Sequence, residues 1–161
     1  MARWLAFGGT AVAGALVWVL LLPSVPVAQP LAFNHAGHQA IACATCHSGA
    51  ETSARAGIPQ GDVCLECHAT APKAAGAAAL WPELARGRQI DWLRVTRVPD
   101  HVMFSHRRHV TLGRLACASC HGEAGTSVTP PRRPPRRLQM SSCIGCHRQV
   151  NVSEDCASCH R

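Results

Sequence analysis

All ten cysteines of this 161-residue chain lie in one repeated arrangement: two cysteines three positions apart, followed directly by a histidine. Two cysteines at this spacing can each form a thioether with one vinyl group of a haem, and the histidine then reaches the iron. Zinc or disulfide sites would not require that histidine every time. The pattern therefore predicts five covalent c-type haems. The predicted thioether residues are Cys43, Cys46, Cys64, Cys67, Cys117, Cys120, Cys143, Cys146, Cys156 and Cys159, and the predicted proximal iron ligands are His47, His68, His121, His147 and His160.

The five histidines outside these motifs equal the number of distal ligands that five six-coordinate haems need. Four of them form two copies of Phe-x-His-x-x-His, one before the first motif and one before the third. Histidines three positions apart are neighbours on a helical turn, so each pair could serve two adjacent haems. The predicted distal ligands are His35, His38, His106, His109 and His101. Methionine is another common axial ligand, so Met140 is the alternative to His101.

The Phe-x-His-x-x-His element ahead of Cys-x-x-Cys-His resembles the class III multihaem cytochromes c. In that group the first histidine of the element binds the haem of the nearest motif, and the second binds another haem. The resemblance implies that His35 serves haem 1 and His38 a later haem. It implies the same relationship for His106 and His109 in the second copy.

Three further stretches resemble the pentahaem cytochrome subunit of quinol-oxidising complexes of the alternative complex III type. They are Ala56-Gly57-Ile58-Pro59, residues 98–106 with His109-Val110, and Leu138-Gln139-Met140. That family implies a membrane-anchored, exported haem domain. It also implies two kinds of partner, an iron–sulfur/molybdopterin-like subunit and quinol-binding membrane subunits. The chain departs from the family at Ser141-Ser142, where the family tends to have Gly-Trp.

Residues 4–22 are a run of nineteen residues without a charge, followed by prolines. A helix of this length is about 28 Å long, close to the roughly 30 Å of hydrocarbon in a bilayer. We expect residues 1–28 to be an N-terminal membrane anchor, with a signal peptide as the alternative. Because Arg3 stays on the cytoplasmic side, the haem domain is expected in the periplasm or another extracytoplasmic space.

The exported part has only about 27 residues for each haem, too few to build a conventional hydrophobic core. We therefore expect a small multihaem cytochrome c, mostly irregular with short α-helices and little β structure, in which the haems form the core. Residues 29–70 would hold haems 1 and 2, and residues 99–161 would hold haems 3 to 5. Residues 71–98 would be a dividing linker. In it, Trp81-Pro82-Glu83-Leu84 predicts a helix start and residues 90–98 a short strand.

These features predict an electron-transfer protein on the outer face of the cytoplasmic membrane, within a quinol-linked respiratory complex, and not an enzyme by itself. Five spare histidines leave no iron clearly vacant, and no pair of acidic residues stands out as catalytic. A multihaem reductase is the alternative. It would require that neither His101 nor Met140 binds the fifth iron, so that one haem is open.

The net charge of +7 would ordinarily suggest a nucleic-acid partner. Haem propionates offset this charge, so we expect no nucleic-acid binding. Residues 130–137, Pro-Pro-Arg-Arg-Pro-Pro-Arg-Arg, have two interpretations. They are either a solvated, extended spacer or a functional strip, which docks an acidic partner or anchors haem propionates.

Overall fold

A computed structural model describes residues 14, 16–18 and 27–161 of the chain. The predicted anchor, residues 1–28, therefore lies mostly outside the described residues. Among the residues described, no helix is both long enough and apolar enough to cross a bilayer. The same residues contain no β-strand, only an isolated antiparallel bridge between Val102 and His160.

Short helices supply the regular structure of the described residues. The α-helices are α1 Cys43–Cys46, α2 Gly61–Leu65, α3 Ala77–Leu84, α4 Cys117–His121, α5 Met140–Gln149 and α6 Cys156–Cys159. Single 3₁₀ turns cover Ala36–His38, Ser48–Ala50 and Gly122–Thr126, and a π-helical turn covers Arg108–Leu112. Each Cys-x-x-Cys-His motif has its first cysteine on a helix, so its two cysteines lie on the same side of the chain. The expectation of short helices with little β structure is confirmed.

The buried apolar side chains of the described residues form one small cluster around α3. Its members are Leu31, Ala77, Trp81, Leu84 and Ile90. Three of them are spaced at i, i+4 and i+7 along α3, so they share one helical face. Leu65 of α2 packs against the cluster, and a Cβ at Gly61 would lie 2.9 Å from the Leu84 side chain. This buried cluster therefore lies beside the second Cys-x-x-Cys-His motif. Among the described residues, the other four motifs have no such cluster next to them.

The start of helix α3 in the linker differs from the position that the sequence predicted. The helix begins at Ala77 and not at Trp81, so Pro82 lies inside it. Gly76 precedes the helix in the left-handed region, with φ +87°, and a Cβ there would lie 2.7 Å from the carbonyl oxygen of Pro30. Glycine is the residue that tolerates both the positive φ and this close approach. Because the helix face that contains Ala77 and Trp81 is buried, the helix begins at Ala77, before the position that Pro82 suggested.

The expected strand at residues 90–98 is also absent, because side-chain amides take the place of a partner strand. Gln29 accepts a hydrogen bond from the Leu93 N–H at 3.0 Å and donates one to the Leu93 carbonyl at 2.7 Å. The Gln60 side chain accepts another from the Ile90 N–H at 2.7 Å. Backbone groups paired in this way need no neighbouring strand.

Residues 29–70 and residues 99–161 are the two halves of the haem domain. They contact each other directly, through residues 49–57 and 104–111. The N–H of His106 donates to the carbonyl of Ala54 at 3.1 Å, and the Thr111 hydroxyl donates to the carbonyl of Glu51 at 2.6 Å. The linker packs against the first half, through Gln29, Leu31 and Gln60.

Candidate haem-binding sites

Four motif histidines each lie beside a different histidine from outside the motifs. The four pairs have the following distances between ring centroids: His38–His68 6.0 Å, His101–His160 5.5 Å, His106–His121 6.3 Å and His109–His147 6.2 Å. The two remaining histidines are His35 and His47. Burial, followed by the charge of His47, lowers the pKa of His35, so His47 is the histidine that acts most strongly on His35.

The spacing within these pairs suits two imidazoles on opposite sides of one iron. A metal–imidazole bond is about 2.0–2.1 Å, and each ring centroid lies about 1 Å beyond its nitrogen, so two ligands stand roughly 6 Å apart. The three pairs at 6.0, 6.2 and 6.3 Å have this separation. Imidazole is a usual axial ligand of haem iron. The residues present therefore fit haem with two histidine ligands.

Hydrogen bonds at Nδ1 prepare several of these rings to bind metal through Nε2. Five Nδ1 atoms lie against backbone carbonyl oxygens: His38 with Asn34 at 2.8 Å, His47 with Gly57 at 2.9 Å, His106 with Ala54 at 3.0 Å, His109 with Ser105 at 2.8 Å, and His147 with Ser153 at 2.8 Å. A carbonyl can only accept, so Nδ1 carries the proton and Nε2 keeps its lone pair. The same bonds fix the orientation of each ring.

A phenylalanine holds the two histidines of each Phe-x-His-x-x-His element at different angles. Phe33 stacks on His38, with centroids 4.8 Å apart, and meets His35 edge-on at 4.7 Å. Phe104 stacks on His109 at 4.6 Å and meets His106 edge-on at 4.9 Å. The repeat in sequence is therefore a repeat in structure. Its two histidines face different motifs because the phenylalanine turns them apart.

The first histidine of each element faces the motif that follows directly, and the second faces the next motif along the chain. His38 lies beside His68 of the second motif, and His47 of the first motif is the histidine whose charge acts most strongly on His35. The second copy repeats this order with the third and fourth motifs.

The pair at the fifth motif, His101 and His160, is held by backbone hydrogen bonds between two distant segments. The N–H of Met103 donates to the Cys159 carbonyl at 2.8 Å, and the N–H of Arg161 donates to the His101 carbonyl at 3.2 Å. These bonds place the rings of His101 and His160 in a stack with 16° between their planes. Met140, the alternative fifth ligand, is the first residue of α5 and is 65% exposed.

The cysteines of the first three motifs lie close together. The pKa of Cys117 is raised mainly by burial, and the second cause is the adjacent Cys43 thiol. Burial, followed by the Cys67 thiol, raises the pKa of Cys46. The first motif is therefore the neighbour of both the second and the third, and it lies where the two halves of the chain meet.

The last three motifs are neighbours in the same way. Burial, followed by the thiols of Cys159 and then Cys120, raises the pKa of Cys143. The fourth motif thus lies close to both the third and the fifth. Together these charge interactions between thiols indicate the order second, first, third, fourth and fifth for the motifs. All ten cysteines have free thiols, as attachment to haem requires.

Trp81 provides a further sign that the second motif fits a haem. Its indole ring stands perpendicular to the ring of His68, with centroids 6.0 Å apart. Its Nε1 is buried and has no hydrogen-bond acceptor among the described residues. An unpaired buried donor costs about 1–3 kcal/mol. A haem carboxylate at this motif would supply the acceptor.

Sequence reasoning missed the groups that orient the ligands. The acceptors for His47 and His106 are the main-chain carbonyls of Gly57 and Ala54, which carry no side-chain signal. Ser127, whose hydroxyl lies 3.4 Å from Nδ1 of His35, is ninety-two positions away in sequence. Contacts of this range leave no local pattern, so only the folded chain reveals them.

Comparisons with known proteins match two parts of the chain to families of cytochromes c. Residues 22–84 match the class III cytochrome C family, and residues 102–161 match the family of cytochrome c7 and related cytochrome c. The chain is also similar to the menaquinone reductase multihaem cytochrome c subunit of Nitratidesulfovibrio vulgaris (strain Hildenborough). The two are 29% identical over 163 residues, which are 83% of this chain and 77% of that protein.

Proposed function

We propose that the chain, a multihaem electron-transfer cytochrome c that binds c-type haem at its Cys-x-x-Cys-His motifs, carries five haems within a menaquinone-linked membrane complex. The observations that support five haems are the four histidine pairs at the second to fifth motifs and, at the first motif, the action of His47 on His35. Residues 29–70 would form a module with two of these sites, and residues 99–161 a module with the other three.

The residues of each site have distinct roles in this proposal. At each site the two cysteines would attach the haem, and the two histidines would bind its iron. Backbone carbonyls such as those of Gly57 and Ser153 hold the Nδ1 protons and so aim Nε2 at the metal. Haem bound in this way supplies one-electron redox chemistry. With two histidines available to each iron, no bound substrate would be needed to complete a site.

The fifth site is where the alternative function, a multihaem reductase with one open-coordinate haem, is best tested. Its rings are 5.5 Å apart, closer than the 6.0–6.3 Å of the other measured pairs. Electron paramagnetic resonance of the oxidised protein distinguishes the two functions. Low-spin signals for all haems are expected, and a high-spin signal from one haem would instead support the reductase.

Two observations support the proposal that the protein belongs to a membrane complex. One is the name of its relative, and the other is the resemblance of its sequence to a family of such subunits. The relative is named as a subunit of a menaquinone reductase. The resemblance is to quinol-oxidising complexes that contain an iron–sulfur/molybdopterin-like subunit and quinol-binding membrane subunits. Both involve a quinone pool in a membrane, so we propose these two kinds of subunit as partners. We also propose that residues 1–28 anchor the haem domain to the outer face of the cytoplasmic membrane.

Co-purification tests this function. The full chain, tagged at its C-terminus, is isolated from native membranes in mild detergent, and its partners are identified by mass spectrometry. We expect a quinone-binding membrane subunit, and haem absorbance that changes on addition of menaquinol or menaquinone. The direction of that change gives the direction of electron flow. A cytochrome isolated without membrane partners and unresponsive to either compound would contradict the proposal.

A further inference from the structure

An exposed strip of four arginines has no carboxylate partner in the polypeptide. We call Arg132, Arg133, Arg136 and Arg137 the arginine strip; all four are exposed. The ion pairs of the described residues involve other arginines. The residues outside the description contain no Asp or Glu that could pair with the strip. The four positive charges are therefore available to a ligand from outside the chain.

The strip is ordered by contacts at both of its arginine pairs. The Arg132 carbonyl accepts a hydrogen bond from the Val27 N–H at 2.9 Å, and the Arg136 guanidinium donates to the Ser119 carbonyl of α4 at 2.6 Å. Prolines before each pair restrict the backbone to extended conformations. An ordered backbone loses little entropy when its guanidinium groups bind, and each guanidinium fork matches the oxygens of a phosphate.

The contact with Val27 places the strip close to the apolar run. Only five residue steps separate Leu22, where the uncharged run ends, from Val27. A chain spans at most about 3.6 Å per residue, so the end of the run lies within about 18 Å of Val27. Inside the run, the described residues Leu16, Val17 and Trp18 are 60%, 55% and 68% exposed, as lipid-facing side chains would be.

We propose that the arginine strip docks the haem domain onto anionic phospholipid headgroups of the membrane that holds residues 1–28. This inference rests on the proposed anchor. The position of the strip, bonded to the first described residue after the apolar run, favours a lipid surface over an acidic protein. Basic residues beside a membrane-spanning segment are attracted to anionic headgroups, and salt screens this attraction. The docking would fix how the haem domain is oriented on the membrane.

The test uses the full-length holoprotein in lipid nanodiscs of phosphatidylcholine, with or without phosphatidylglycerol. Arginine modification by phenylglyoxal is followed at each residue by mass spectrometry. We expect modification of the strip to be several-fold slower in the anionic nanodiscs at low salt, and the difference to disappear at high salt. Arg55 and Arg107, exposed arginines where the two halves of the chain meet, are the internal controls and should react equally in both lipids.

Two variants separate charge from structure. Arg132→Gln/Arg133→Gln/Arg137→Gln removes three charges and keeps Arg136, which bonds to α4. In anionic nanodiscs, we expect this variant to lose the protection of Arg136 against phenylglyoxal. We also expect the peptide around Arg136 to lose its protection against hydrogen–deuterium exchange. The corresponding lysine variant should retain this protection in hydrogen–deuterium exchange. An unchanged haem spectrum shows that both variants are folded.

Several outcomes would overturn the proposal. Equal reactivity in both lipids means that no lipid docks on the strip. Protection in both lipids and in detergent means that the strip is covered from within, by haem propionates. Protection that appears only with the co-purified partner subunits means that an acidic protein binds there. A chain that does not enter nanodiscs lacks the anchor. The proposed function is judged separately, since partners could be absent while the lipid effect persists.

Discussion

The imidazole of His101 stacks on that of His160, with ring centroids 5.5 Å apart and 16° between the planes. The two residues belong to separate segments, which are joined by the bridge between Val102 and His160. This relationship identifies the candidate ligand pair of the fifth motif. It also shows that the fifth site depends on a contact between segments rather than on one turn of chain.

The fifth site can be tested by exchanging its distal residue. We expect His101→Met to raise the reduction potential of one haem, because methionine ligation raises it relative to a second histidine. Redox titration followed by absorbance measures the change. Met140→Leu is the matched control and should leave all potentials unchanged. A shift in Met140→Leu, with none in His101→Met, would instead identify Met140 as the ligand.

We predict five haems from the five Cys-x-x-Cys-His motifs. The mass of the denatured protein should exceed that of the polypeptide by five haem groups, since thioethers survive denaturation. Replacing Cys156 and Cys159 together by serine should reduce this to four haems and leave the pair at His109 and His147 in place. Five haems in that double variant would show that the fifth motif does not bind one.

Gly49 lies where a side chain would disturb two sites at once. A Cβ there would collide with the backbone carbonyl of Arg55, in the loop whose carbonyls orient His47 and His106. We expect Gly49→Ala to destabilise the holoprotein by about 1–3 kcal/mol in chemical denaturation, as overpacking does. Gly125→Ala is the control, because nothing lies within 4 Å of its Cβ position. Equal stability of the two variants would contradict the role of this loop.

The unpaired indole N–H of Trp81 predicts a specific effect at the second motif. Trp81→Phe keeps an aromatic ring in the core and removes the donor. If this donor binds a haem carboxylate, its removal leaves more negative charge beside the iron and lowers the potential of one haem. Redox titration would reveal the shift. Unchanged potentials would mean that the indole binds no haem group.

Trp92 offers the matched control for that experiment. Its Nε1 already donates to the Pro59 carbonyl at 2.9 Å. Trp92→Phe should therefore cost about 1 kcal/mol of stability, the net value of one hydrogen bond, without changing any potential. A potential shift of the same size in both variants would mean that general loosening of the core, and not the Trp81 donor, causes the effect.

Local sequence patterns predicted the chemistry but not the linker. The spacing of Cys43, Cys46 and His47 is an arrangement within one helical turn, so it can be recognised without the fold. Residues 90–98 carry strand-forming side chains, yet Gln29 and Gln60 satisfy their backbone groups instead of a partner strand. Whether a strand forms depends on which distant groups reach it, and propensity does not include that information.

The sequence by itself determined that the chain attaches haem, and it predicted five haems and enough histidines to bind them, because covalent attachment needs only a short, fixed spacing. The tertiary structure decided which histidine faces which motif, that His101 and not the exposed Met140 lies against His160, and in which order the motifs lie. It also placed the arginine strip beside Val27. These relationships depend on contacts between segments far apart in the chain, and such contacts exist only after folding.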